Sequence, residues 1–157
     1  MTSIQKKLDR FIEEHGDATT CIFDWDETLY NNKTHRTSNA AKKMIADCPH
    51  VGILTYNTGV HHEKCCTDQD LIDLGLCVDG SCIVDKHMWA KRKSNSSRML
   101  LAGRDVGIIN YGKKKDIMLN EMGLDPKNTI FFDDLKDNVD PAKEAGITAV
   151  HVLNGNI

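Results

Sequence analysis

Cys21-Ile22-Phe23-Asp24-Trp25-Asp26-Glu27-Thr28-Leu29-Tyr30 is the stretch that decides how this chain is read. The apolar run over residues 19–23 is β-branched and aromatic, too short for a helix, and gives way at once to polar, turn-prone residues. It therefore reads as a buried strand. Asp24 and Asp26 bracket one residue at its end. Carboxylates held that close repel one another unless a shared proton or a cation offsets the charge. The carboxyl end of a strand is also where open α/β sheets bind ligands. An aspartate commonly ends a strand merely by capping the next turn, so the pair needs further residues before it means chemistry.

Two more runs have the same form. Val51-Gly52-Ile53-Leu54-Thr55-Tyr56-Asn57-Thr58-Gly59 stops at a hydroxyl and an amide, and Thr129-Ile130-Phe131-Phe132-Asp133-Asp134 stops at two acids. Parallel strands ending there would gather Thr55, Asn57 and the acids at one edge, with nearby backbone N–H groups as donors to an anion. Between them Gly112-Lys113-Lys114-Lys115 opens an amphipathic stretch in which Leu119 and Met122 follow Lys115 at helical spacing. Lys115 thus heads the face that packs on the sheet and is the lysine expected to reach the acids. Lys113 and Lys114 read as solvated charges.

Together these segments resemble the haloacid dehalogenase superfamily, whose four motifs stand here in order as Asp24, Asp26 and Thr28; Thr55; Lys115; and Asp133 with Asp134. The resemblance covers about residues 19–153. It is closest to the small capless magnesium-dependent phosphatases, whose carboxyl-terminal third is echoed by Asn138, by Gly146-Ile147-Thr148-Ala149-Val150-His151-Val152 and by Asn154-Gly155. Trp25 is bulkier than the aliphatic residue usual between the two aspartates. The resemblance implies Asp24 as nucleophile, Asp26 as general acid and base, and Lys115 and Thr55 as further catalytic groups. Thr28, Thr55, Asn57 and Lys115 would contact the substrate. Mg²⁺ would be held by Asp24, Asp134 and the backbone carbonyl of Asp26, with Asp133 and Asn138 orienting the ligands.

The chemistry suits the residue types. A phosphate monoester repels nucleophiles through its negative oxygens, so a catalyst must neutralise charge and fix an in-line attack. A carboxylate nucleophile splits one hard displacement into two easier ones. Dehalogenating members of the superfamily lack an acid at the Asp26 position, so its presence here points to phosphoryl transfer.

The expected architecture is α/β: a doubly wound parallel sheet of Rossmann-like form in one domain, residues 1–157, with minimal or no cap. Residues 1–17 read as an amphipathic helix on the sheet edge, with Ser3 as possible cap, Ile4, Leu8, Phe11 and Ile12 on one face, and Gly16 as stop. A crossover helix is expected over residues 63–74, a strand over 106–109, and a last helix from about Pro141. Residues 86–104, with Lys91-Arg92-Lys93, read as an exposed basic loop, or as a minimal lid that gathers an anionic substrate.

A net charge of −3 provides no global pull toward nucleic acid or membrane, and no stretch is long and apolar enough to span a bilayer. With no secretory signal at the amino terminus, a cytoplasmic location is expected. The six cysteines lack the spacing of zinc clamps and are expected as reduced thiols. The sequence leaves the phosphorylated substrate open among protein, sugar and nucleic-acid end, and the oligomeric state undetermined. A nucleic-acid 3′-phosphatase resting on the basic segment, and a non-catalytic phosphate- or partner-binding module, are the alternatives.

Overall fold

The computed structural model describes residues 2–54, 73–74, 77–78, 81–82, 96–101, 104–110, 115, 119–120 and 123–157. In chain order the elements are α1 (Ser3–His15), β1 (Thr20–Phe23), β2 (Tyr30–Asn31), β3 (Arg36–Thr37), α2 (Asn39–Asp47), β4 (His50–Ile53), β5 (Cys77–Val78), β6 (Ser81–Cys82), β7 (Ser96–Leu101), β8 (Arg104–Asn110), β9 (Thr129–Asp133), α3 (Lys136–Glu144) and β10 (Thr148–His151). One sheet runs β10-β9-β1-β4-β7-β8. Its first four strands are parallel, in the register Thr20↔Thr129 for β1 with β9 and Thr20↔His50 for β1 with β4. The chain leaves β1 toward β4 on one side and returns later to β9 on the other. The boundary between β1 and β9 is therefore a topological switch point, where such sheets open a crevice.

Alternation along the strands fills two cores. Cys21 and Phe23 of β1 pack with Ile130 and Phe132 of β9, Leu8 and Phe11 of α1, and Met44 and Ile45 of α2. Ile22 and Phe131 point into the opposite cluster with Leu119 and with Val139 and Ala142 of α3. Both faces of the parallel strands are thus covered, which is why Cys21-Ile22-Phe23 of β1 and Ile130-Phe131-Phe132 of β9 are apolar at consecutive positions rather than at every second one.

Several expectations need correction. The sheet is not parallel throughout: β7 pairs antiparallel with β4 and with β8. Only residues 102 and 103 separate β7 from β8, too few for the crossover a parallel neighbour requires. The loop or lid expected over 86–104 is therefore strand from Ser96 to Leu101 and again from Arg104; residues 86–95 lie outside the described residues. Of the helix expected over 63–74, Asp73 has helical backbone and Leu74 is buried, and the rest lies outside the described residues.

The cap of α1 is Thr2 rather than Ser3, its hydroxyl accepting from the Gln5 N–H at 3.1 Å. The helix packs with α2 on a sheet face, not on the edge. The last helix starts at Lys136, not near Pro141, because the Leu135 carbonyl already accepts from the Asn138 and Val139 N–H groups at 2.9 and 3.1 Å. No helix among the described residues is long and apolar enough to cross a membrane.

The cysteine expectation also changes. Cys21 on β1 and Cys48 at the end of α2 form a disulfide across a separation of 27 residues. Alkylation of the unfolded, unreduced chain should spare both residues. Reduction should lower the free energy of unfolding by about 3.5 kcal/mol on the chain-entropy account, measured by urea titration. Labelling of both thiols without reductant would rule the cross-link out.

Candidate active site at the tips of the first and ninth strands

Asp24 leaves β1 with its N–H still bonded to the Phe132 carbonyl at 2.9 Å, so its position is set by the parallel neighbour β9. The chain then turns tightly. The Trp25 carbonyl accepts from the N–H groups of Thr28, Leu29 and Tyr30 at 3.0–3.2 Å, and Glu27 takes a left-handed φ of 59°. The Trp25 ring is fully buried and stacks on Tyr30 with centroids 5.8 Å apart. The bulky residue between the aspartates is thus the anchor of the turn: it packs into the core beneath while Asp26 stays half-buried above.

On β9 the same edge holds the second acid pair. Asp133 is wholly buried and its carboxylate is saturated by protein donors. Oδ2 takes the Lys115 ammonium at 2.7 Å, Oδ1 takes the Leu135 N–H at 2.9 Å, and the Asn138 amide lies 3.3 Å from both oxygens. Lys115, 1 % exposed, has helical backbone and also reaches Asp24 Oδ1 at 2.9 Å. Helical periodicity had singled out this lysine of the three, and it is the one found between the aspartates. Lys113 and Lys114 lie outside the described residues.

Ligand oxygens of Asp24, Asp133 and Asp134 all fall within 4.8 Å of one another, a spacing that can hold a metal ion. Since Asp133 is already satisfied by Lys115, Asn138 and Leu135, the carboxylates left for a cation are those of Asp24 and Asp134. With all three acids ionised, three negative charges face one ammonium and two remain uncompensated. A low-dielectric site tolerates such an excess poorly. Burial pushes the Asp24 carboxyl up to about 8 against the opposing pull of Lys115, and Asp133 pushes it further in the same direction. Asp134 is raised as well, first by burial, with its hydrogen bond to Asp24 acting against that. Burial alone would lower the Lys115 pKa, but the charges of Asp24 and Asp133 and the hydrogen bonds to them outweigh it, and the pKa is raised. Lys115 therefore stays an ammonium while Asp24 and Asp134 compete for a proton, which a divalent cation would displace.

The other expected site residues divide. Asn138 places its amide beside both carboxylate oxygens of Asp133. Thr28 is fully buried, with no hydrogen-bond partner for its hydroxyl among the described residues, and its carbonyl accepts from the Ile157 N–H at 2.9 Å. It is built into the turn beneath the site. Thr55 and Asn57 lie outside the described residues; Leu54, which precedes them, donates its N–H to the Phe23 carbonyl at 2.8 Å. One contact was not foreseen. His151, aligned with Asp133 in the β9–β10 register, has its Nε2 2.8 Å from the Asp134 carbonyl. Its one legible signal was a polar ring at the end of a fourth apolar run.

Two outcomes follow from these charges. Lys115→Met should destabilise the fold by about 3–5 kcal/mol in chemical denaturation, because it strands Asp24 and Asp133 without a counter-ion. The folded chain also holds the Asp24 proton from the ordinary 3.8 up to about 8, where the unfolded chain has released it. The stability this proton contributes is therefore complete at acid pH and declines as pH rises across that window. Thermal unfolding in a chelator should show this decline, and Asp24→Asn should flatten it; an equal slope in the variant would contradict the assignment.

Comparison of the chain with models of known protein families, with curated proteins and with solved structures returns no match.

Proposed function

We propose that this chain is a magnesium-dependent phosphomonoesterase of the haloacid dehalogenase type, acting through a phosphorylated Asp24. The observation that carries the reading is the buried Lys115 ammonium shared between Asp24 and Asp133, with Asp134 beside them, so that three acids gather around one ammonium. A purely structural ion pair needs one acid for one base. Here the acids are in excess, and they sit at a switch point where a ligand can enter. The order of the four short motifs along the chain supports the same reading.

Asp24 and Asp134 would hold the magnesium ion, with the Asp26 carbonyl as the third protein ligand implied by the resemblance. An all-oxygen donor set with excess negative charge fits a hard divalent cation. Bound there, the ion would neutralise phosphoryl oxygens and reduce their repulsion with Asp24.

This chain's residues then divide the work. The Asp24 carboxylate attacks phosphorus, and its new O–P bond forms as the ester P–O bond breaks. Asp26 gives its proton to the departing oxygen. Water next attacks the phosphorylated Asp24, passing a proton to Asp26, and the displacement releases inorganic phosphate and restores both carboxyl groups. Lys115 fixes Asp24 through Oδ1 and remains as counter-charge in both halves of the cycle. The half-buried setting of Asp26 suits a group that meets the leaving oxygen and then water, whereas Asp24 is 5 % exposed.

The described residues from Thr28 to Leu54 are used up by the β2–β3 ladder, α2 and β4, which leaves no cap of a size to enclose a small molecule there. The absence of a cap in that described segment favours a phosphate presented on a larger body, and a phosphoprotein is the substrate class we infer. Hydrolysis of an aryl phosphate should require Mg²⁺ and fall by about 10⁴-fold or more in Asp24→Asn. Asp26→Asn should slow alkyl phosphates by about 10²–10⁴-fold and good aryl leaving groups much less. Retained turnover in Asp24→Asn would end the covalent mechanism, and equal losses across a leaving-group series would end the acid role of Asp26.

A further inference from the structure

We propose that His151 is a positioning residue for Asp134, holding the acid loop in the one conformation that presents both Asp24 and Asp134 to a cation; this rests on the reading of these acids as a metal site. Asp134 is the first residue beyond β9, outside any strand or helix. Its neighbours are well fixed. The Asp133 carbonyl accepts from the Val152 N–H at 2.9 Å, and the Leu135 N–H is held by Asp133 Oδ1 at 2.9 Å before α3 begins. The peptide between Asp134 and Leu135 has its own external restraint in the His151 ring, whose Nε2 lies 2.8 Å from the Asp134 carbonyl. A carbonyl only accepts, so the proton is on Nε2 and the ring is the donor.

The need for such a restraint follows from geometry. Ligand oxygens of Asp24 and Asp134 fall within 4.8 Å of one another, and that spacing depends on the direction in which the Asp134 peptide leaves β9. Asp133 is locked by Lys115, Asn138 and Leu135; the Leu135 N–H ties one side of the Asp134–Leu135 peptide to Asp133 Oδ1, and the His151 ring ties the carbonyl side. The His151 bond is the second anchor of this peptide and fixes its plane from the carbonyl side. α3 offers no substitute, since its cap residue Leu135 makes no side-chain capping bond. Partners that orient a ligand from outside the coordination sphere typically change metal affinity by 10- to 100-fold.

The test compares wild type, His151→Ala and His151→Gln, whose amide can offer a donor near the position of Nε2. Two readouts are used: Mn²⁺ binding measured directly by electron paramagnetic resonance without substrate, and amide hydrogen exchange of Leu135 in metal-free protein. His151→Ala should weaken Mn²⁺ binding by about tenfold and speed Leu135 exchange while leaving exchange within β9 unchanged. His151→Gln should restore both. Unchanged Leu135 exchange in His151→Ala overturns the proposal, as does unchanged affinity where wild type binds the ion. If wild type binds no Mn²⁺, the metal reading fails on its own and the exchange data alone decide the role of His151.

Discussion

One ammonium group, taken almost wholly out of water, organises this molecule. Lys115 lies between Asp24 and Asp133, 2.9 Å from one and 2.7 Å from the other. Desolvating an ion costs several kcal/mol, which mutual attraction offsets only where geometry and further hydrogen bonds are good. The fold meets that condition through the parallel pairing of β1 with β9. Pairing aligns Phe23 with Phe132, so the residues that follow emerge side by side and face the same lysine. Moving either strand by one residue would turn its acid to the other face of the sheet.

The two cores make that register hard to change. Phe23 and Phe132 stack with centroids 4.8 Å apart on one face, and Ile22 and Phe131 are buried on the other. Each strand is committed on both sides, so slippage would expose apolar surface twice. Rigidity in the sheet then passes into the site through short bonds rather than long loops: Asp24 to Phe132, Val152 to Asp133, His151 to Asp134.

Much of this was legible in local sequence. A short apolar run ending in acid identifies a buried strand tip, and helical spacing to Leu119 singles out Lys115. What was not legible depends on neighbours distant in the chain. The strand expected over 106–109 is present within β8, but its partner β7 was missed because a basic, serine-rich segment before a glycine reads as a loop until an adjacent β-branched run pairs with it. The start of α3 was misjudged because Pro141 looks like a first-turn residue, although the Leu135 carbonyl closes the first turn earlier. Cys21 and Cys48 gave no sign of pairing, since cysteine connectivity cannot be read from spacing. Thr28 was singled out by motif alone, and its complete burial was not legible in the sequence. His151 stood at the end of an apolar run, but its partner was not legible because nothing local says which strand lies beside β10.

The pairing of Thr20 with Thr129 also bears on how the molecule comes to exist. The strand carrying Asp24 is made well before the neighbour that completes it, which lies far downstream in the chain. Until then the β1 edge is open and apolar, which is the condition under which nascent chains associate wrongly or need a chaperone. Contacts of such long sequence separation also slow the rate-limiting step of folding. The acids at the tips of β1 and β9 can meet only once these two strands pair, so the centre depends on a contact of long sequence separation.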